Sequence, residues 1–143
     1  MTGPCRVAVL ASGSGSNMEA LTREAHAGRL PVAIACVLSN RPAARVLERA
    51  RTLGVEARCV DHRSFARRED FDAALVRALA DYAPDLVVLA GFMRILTPVF
   101  IEPFRGRLLN IHPSLLPGYP GLDTHQRAID AGARVAGAPV HFV

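Results

Sequence analysis

At 143 residues, half of them hydrophobic (50%), the chain is long enough to enclose one sizeable core and is expected to form a single domain, 1–143. No run of residues approaches a membrane span, and the start Met1-Thr2-Gly3-Pro4-Cys5-Arg6 passes straight into a strand-like segment rather than an apolar signal core, so a cytoplasmic location is expected. All 17 basic residues are arginine against 13 acids, a net charge of +4, and the absence of lysine excludes a Schiff-base lysine, an amine nucleophile and the lysine of a nucleotide P-loop.

A pI near 9.6 invites a nucleic-acid reading. The arginines, however, are interspersed with acids, as in Glu48-Arg49 and Arg68-Glu69-Asp70, and aromatics make up only 6%, a pattern of solvated helix faces that also suits small anionic substrates. Cys5, Cys36 and Cys59 are odd in number, far apart and each at or beside an expected strand, so a buried structural role is expected rather than a disulfide framework or zinc site.

In chain order, Arg6 to Ala11 reads as a buried strand, followed by the turn Ser12-Gly13-Ser14-Gly15-Ser16-Asn17 and a helix from about Met18 to Ala27 that Gly28 stops. Val32 to Leu38 is a second strand. Pro42 is expected to open a helix through Leu53, which Gly54 ends, and Val55 to Val60 is a third strand. Ser64 is a candidate cap near a long amphipathic helix reaching about Tyr82, with Phe71, Leu75, Val76 and Leu79 along one side. Leu86 to Ala90 is the fourth strand, Pro98 to about Phe104 a short helix, and Leu108 to Ile111 the fifth strand. A further helix is expected from His125 to Ala131, and Val140 to Val143 begins another strand. Strands alternating with helices over this length predict an α/β fold with a mainly parallel, twisted sheet and helices on both faces.

The turn after the first strand combines glycines, small hydroxyl residues and a helix start, which suits an anion. By itself Gly13-x-Gly15 is a weak signal, compatible with a monophosphate site, a dinucleotide site or an ordinary tight turn. The third glycine of a dinucleotide fingerprint is missing, and only Asp61 offers an acid after the third strand. Asn110 and His112 are two apart at a strand end, so both side chains can face one reacting group. A carboxamide and an imidazole placed together can stabilise a carbonyl oxygen that gains negative charge, and the histidine can move a proton near neutral pH. The plain alternative is a turn-fixing asparagine and a satisfied core histidine. Ser114 reads as a turn residue rather than part of a triad. The loop Gly91-Phe92-Met93-Arg94-Ile95-Leu96 is apolar where loops are usually polar: either Met93, Ile95 and Leu96 line a pocket for a flat aromatic ligand, or they are simply buried. His26 and His62 read as surface positions and His125 as packing near its helix. No histidine pair has metal-ligand spacing, and no metal is expected.

Taken together, Ser12-Gly13-Ser14-Gly15-Ser16-Asn17, Leu89-Ala90-Gly91-Phe92-Met93-Arg94-Ile95-Leu96 and Leu109-Asn110-Ile111-His112-Pro113-Ser114-Leu115-Leu116-Pro117, with Tyr119-Pro120-Gly121-Leu122 after them, resemble the folate-dependent phosphoribosylglycinamide formyltransferases of purine synthesis. The resemblance runs from the first strand to the last residue. Its third motif is shared with methionyl-tRNA and sugar formyltransferases, whereas the glycine-serine-asparagine loop points to the phosphorylated glycinamide. The resemblance implies a Rossmann-like formyltransferase fold and transfer of a formyl group from 10-formyltetrahydrofolate, as co-substrate, to the amine of phosphoribosylglycinamide, by a monomer or homodimer with no metal, nucleic-acid or membrane partner. Carried onto this chain, it assigns Gly15, Ser16, Asn17, Met18 and Glu19 to the substrate phosphate. Arg68, Met93, Arg94, Ile95, Leu96 and Asn110 fall to the formyl folate, and His112 and Asn110 to catalysis, as general acid and as the group polarising the formyl oxygen.

The resemblance also implies an aspartate a few residues beyond the segment matching Val140 to Val143, which favours the protonated histidine. The sequence stops short of it, so the expectation is a chain lacking its C-terminal part, with weak or no transfer. Pro139 stands where the resemblance implies a small hydroxyl residue. Rival readings are a hydrolase releasing formate from the same folate, which the Ser14 to Asn17 loop argues against, and a non-catalytic phosphate-binding module. An RNA-linked formyltransferase would carry a further domain.

Overall fold

The computed structural model describes residues 4–111 and 140–142. Strands and helices alternate as β1 (Cys5–Leu10), α1 (Ser16–His26), β2 (Val32–Ser39), α2 (Arg45–Thr52), β3 (Ala57–Cys59), a 3-10 turn (His62–Ser64), α3 (Arg68–Ala80), β4 (Leu86–Ala90), α4 (Pro98–Ile101) running into a second 3-10 turn (Glu102–Phe104), β5 (Leu108–Ile111) and β6 (Val140–Phe142). They form one six-stranded sheet in the order β3-β2-β1-β4-β5-β6. The first five strands are parallel and β6 runs antiparallel to β5. The mainly parallel sheet read from the sequence is the one observed.

Alternation along β1 divides the core between two faces. Val7, Val9 and Ala11 pack with Met18 and Leu21 of α1 and Val46, Leu47 and Ala50 of α2. Ala8 and Leu10 pack with Phe71, Leu75 and Leu79 of α3 and with Phe100 and Phe104. Both faces of the central strands are therefore dry, which is why β4 is buried at all five positions and reads as an unbroken apolar run. On α3 the spacing Phe71, Leu75, Leu79 is the helical repeat of one buried stripe, and Val76 lies at its half-buried margin.

Two helix starts differ from the sequence expectation. Pro42 sits in a turn closed by the Ala44 amide on the Arg41 carbonyl (3.2 Å), and α2 begins three residues later. The Val46 amide donates to the carbonyl of Gly13 across the sheet end (3.0 Å), and Ala44 is extended, so residues 42–44 approach that contact instead of winding into the helix. Ser64 does not cap α3. It belongs to the 3-10 turn that the Asp61 carboxylate closes by accepting the Arg63 amide, and α3 starts at Arg68 after an extended Arg67. β3 is shorter than expected because the Val55 amide is claimed by Ala50 at the end of α2 (2.8 Å). The helix expected from His125 to Ala131 lies outside the described residues. None of the helices among the described residues is long and apolar enough to cross a membrane.

Candidate active site

Counting outward from β1, the chain fills the sheet first toward β2 and β3 and then, on the other side, toward β4 and β5. The strand order therefore reverses between β1 and β4, and in open α/β sheets that reversal leaves a crevice at the carboxyl ends of the strands. Register puts Leu10 beside Leu38 on one side and Leu89 on the other, with Asn110 beside Leu89 and His141 beside Asn110. The loops after β1 and β4 leave this row next to each other. They enclose a cavity of about 140 Å³ lined by Gly13 to Asn17 and by Ala90, Gly91 and Met93.

The loop after β1 is shaped by backbone contacts. The Ala11 amide donates to the Leu38 carbonyl (3.0 Å), the Ser12 amide to the Gly91 carbonyl (3.2 Å) and the Val46 amide to the Gly13 carbonyl (3.0 Å). Gly15 has φ +83°, and a Cβ placed there would lie 2.7 to 2.9 Å from Cγ2, Cβ and Cα of Val46. Glycine is required at this position by both conformation and space. Behind it, α1 presents the amides of its first turn, which have no partner within the helix, and their positive end suits an anion. The Glu19 amide already donates to the Gly15 carbonyl (2.8 Å). Its carboxylate is drawn aside by Arg23 (2.9 Å) and Arg49 (3.3 Å). The Met18 side chain is fully buried in the core, which leaves its amide as the part that can face a ligand.

The loop after β4 resolves the question of its apolar sequence residue by residue. Phe92 lies parallel to Phe71 (6.4 Å between ring centres, 7° between planes), and Leu96 packs on the same core face. Met93 and Ile95 instead stand 68% and 71% exposed, so burial explains two of the apolar residues and not the other two. The Arg94 guanidinium sits over the other ring of that stack, 5.8 Å from the centre of Phe71. Arg68 is three residues before Phe71 on α3, hence on the same side of that helix, and it is exposed. The end of the loop is anchored by Asp72, a fully buried residue whose Oδ2 accepts both the amide and the hydroxyl of Thr97 at 2.6 Å. Its Oδ1 is buried without a partner among the described residues.

Asn110 is half-buried on β5, in line with Leu108, which belongs to the α3 and α4 face. His112 lies outside the described residues, as does the segment Pro113 to Leu122. Beneath the two loops runs a hydrogen-bond chain that sequence reading missed. The Met93 amide donates to Ser12 Oγ (2.7 Å), Ser12 Oγ donates to Asn40 Oδ1 (2.5 Å), and Asn40 Nδ2 is 3.1 Å from His62 Nδ1. His62 is thus a half-buried partner of Asn40 rather than the surface residue expected, and its ring also stands edge-on to Phe71. Asp61, the acid considered for a ribose, is engaged with Arg63 (2.9 Å), which holds its carboxyl down at about 2. Only Cys36 of the three cysteines is fully buried, and burial pushes its thiol up to about 12. Cys5 and Cys59 are half-buried, their thiols raised chiefly by the same cause. No group of three or more potential metal ligands occurs among the described residues.

The chain is 47% identical over 137 residues to phosphoribosylglycinamide formyltransferase of Escherichia coli, covering 96% of this chain and 65% of that protein. It is 48% identical over 141 residues to the trifunctional purine biosynthetic protein adenosine-3 of Drosophila melanogaster, covering 10% of that much longer protein. Among solved structures, glycinamide ribonucleotide transformylase 1 from Symbiobacterium toebii superposes with a TM-score of 0.80 at 46% identity, over 98% of this chain and 66% of that one. Phosphoribosylglycinamide formyltransferase from Brucella melitensis gives 0.79 at 47%, over 97% and 72%. The chain spans about 65% of the length of its bacterial relative from E. coli. Residues 5–143 match the formyl transferase family, and the chain belongs to that family.

Proposed function

We propose that the protein transfers a formyl group from 10-formyltetrahydrofolate to the amine of 5-phosphoribosylglycinamide in purine biosynthesis, as a cytoplasmic enzyme. The observation that carries this reading is the adjacency of two loops at the reversal of strand order: an anion-suited glycine-serine loop at the head of α1, and a loop bearing exposed Met93 and Ile95. Relatives named for this reaction at 46–47% identity support it.

In this reading the phosphate of the glycinamide substrate is held by backbone amides at Gly15, Ser16, Asn17 and Met18, with Glu19 completing the turn. The formyl folate lies against Met93, Arg94, Ile95 and Leu96, and Arg68 meets an anionic part of it. The substrate amine adds directly to the formyl carbon, forming the new C–N bond and leaving negative charge on the formyl oxygen; the adduct then collapses by breaking the carbon's bond to the folate nitrogen, the amine gives up one proton as the folate nitrogen gains one, and no enzyme nucleophile is needed. Asn110 donates to the formyl oxygen as charge develops on it. His112 serves as general acid, so that a proton reaches the departing folate nitrogen.

The test is His112→Ala in the full-length protein, with formylated glycinamide and the deformylated folate both quantified. Binding of phosphoribosylglycinamide should survive while transfer falls by about 10²- to 10⁴-fold, the usual contribution of a positioned acid. Unchanged transfer would remove His112 from the mechanism, and formate release without glycinamide would replace the transferase reading by a hydrolase.

A further inference from the structure

Buried polar groups join the two loops beneath the cavity. Ser12 and Asn40 are 3% and 1% exposed, at the ends of β1 and β2, and neither is assigned to a substrate. A buried polar side chain is kept only where its hydrogen bonds are satisfied. Here the satisfaction is specific in direction. The Met93 amide can only donate, so Ser12 Oγ accepts from it at 2.7 Å. The single hydroxyl proton is then directed to Asn40 Oδ1 at 2.5 Å. That assignment turns Asn40 Nδ2 toward His62 Nδ1 at 3.1 Å. The Ser12 amide meanwhile donates to the Gly91 carbonyl at 3.2 Å. One residue at the root of the glycine-serine loop thus holds the loop after β4 at two points, Gly91 and Met93, and Asn40 fixes the rotor of its hydroxyl from the neighbouring strand.

We propose that Ser12 and Asn40 are positioning residues for formyl transfer: their hydrogen bonds set the distance between the loop that carries the phosphorylated amine and the loop that carries the formyl donor. The inference rests on the proposed function. Its physical content is that attack requires the reacting atoms at about 3 to 3.5 Å, and that a displacement near 1 Å costs on the order of 100-fold in rate. Each loop keeps its own ligand-facing groups when the tie is cut, because the amides heading α1 and the side chains of Met93 and Ile95 are not part of it. Loss of the tie therefore falls on the alignment of the two ligands more than on the affinity for either one.

The experiment is Ser12→Ala in the full-length protein, with Asn40→Ala as a second variant that cuts the same tie from outside the loop and Ser12→Thr as the variant that keeps the hydroxyl. kcat should fall by about 10- to 100-fold in both alanine variants, while the Kd of each ligand measured alone changes less than about 3-fold; Ser12→Thr should recover most of the rate. The double variant should be no worse than Ser12→Ala, because the two side chains act through one connection. Exchange of the Met93 amide with solvent should accelerate in both alanine variants and not in Ser12→Thr. A kcat within 2-fold of the unmodified protein, or a rate loss matched by equal losses in both affinities, overturns the positioning role. Absence of transfer by the unmodified protein is a different result: it overturns the functional reading, and this inference with it.

Discussion

Gly15 and Gly13 stand two apart in the same loop, yet the structure gives them opposite tolerance to a methyl group. At Gly15, φ of +83° costs an alanine about 1–2 kcal/mol relative to its preferred backbone regions. The new Cβ would also lie 2.7 to 2.9 Å from three atoms of Val46, one of them backbone, where carbon atoms prefer about 3.5–4.0 Å. Overpacking of this kind costs about 1–3 kcal/mol, and the reduced freedom of the unfolded alanine chain returns about 0.4–1 kcal/mol. The net expectation for Gly15→Ala is a destabilisation of about 2–4 kcal/mol. A Cβ at Gly13 would have no atom within 4 Å and the residue has no positive φ, so Gly13→Ala should stay within about 0.5 kcal/mol of the parent. Urea titrations read by circular dichroism measure both, with the m-value checked for constancy. Gly13 lines the small cavity, so its alanine variant should weaken binding of a phosphorylated ligand without loss of stability. In a Val46→Ala background the Gly15→Ala penalty should shrink by about 1 kcal/mol, because the Cγ2 contact is gone while the backbone cost remains. Equal stability of Gly15→Ala and Gly13→Ala would refute the argument from φ and Val46 together; an undiminished penalty in the Val46→Ala background would refute only the share assigned to the Cγ2 contact, since Cβ and Cα of residue 46 stay in place.

Two further expectations concern charged groups. Asp72→Ala removes the shared acceptor of the Thr97 amide and hydroxyl and should cost about 2–4 kcal/mol, partly offset because a buried carboxylate with one unpartnered oxygen is removed with it; Asp72→Asn, which keeps a carbonyl oxygen for Thr97, should cost less, and a neutral alanine variant would show that Asp72 does not anchor the loop. Asp61 titrates at about 2 in the folded protein instead of its ordinary 3.8, first because of its side-chain bond with Arg63, so the unfolded chain takes up the proton first: the stabilisation is fully present above about pH 4 and is lost as pH falls toward 2. Asp61→Asn should flatten that part of the acid-unfolding curve, and identical pH dependence of the two proteins would sink the assignment.

What the sequence alone reveals of the molecule depends on the range of the forces at each point. β4 and β5 coincide with Leu86–Ala90 and Leu108–Ile111 as read from the sequence, because a strand buried on both faces is a local apolar run. The start of α2 does not coincide. Pro42 is a good first residue for a helix, but the amide of Val46 is claimed by Gly13, a residue on another strand's loop, and no local capping rule contains that fact. The loop after β4 is intermediate. Its apolar character was legible, whereas the division between packed Phe92 and Leu96 and exposed Met93 and Ile95 follows from where the Phe71 ring and Asp72 stand on α3. The connection from Met93 through Ser12 and Asn40 to His62 went unread, and His62 was taken for a surface residue, for the same reason: the successive partners are 81, 28 and 22 residues apart, and only the ordering β3-β2-β1-β4 brings them together.

The site therefore has two kinds of residue. Those that would touch ligands lie in short motifs, since a loop and a helix start are contiguous in sequence. Those that hold the motifs against one another are scattered, since sheet neighbours are not chain neighbours. Gly15 belongs to both kinds. Its place in a glycine-serine turn is visible in the sequence, but that it, and not Gly13, is the glycine that cannot be replaced is decided by Val46, a residue of α2 that packs into the gap its missing side chain leaves. The same logic predicts where substitutions divide. Changes at Ser16, Asn17, Met93 or Ile95 should act on ligand affinity with the fold intact and changes at Gly15 on both affinity and fold, whereas changes at Ser12, Asn40 and Asp72 should reach the reaction through the placement of the loops, because each of these three meets its partner in another segment of the chain.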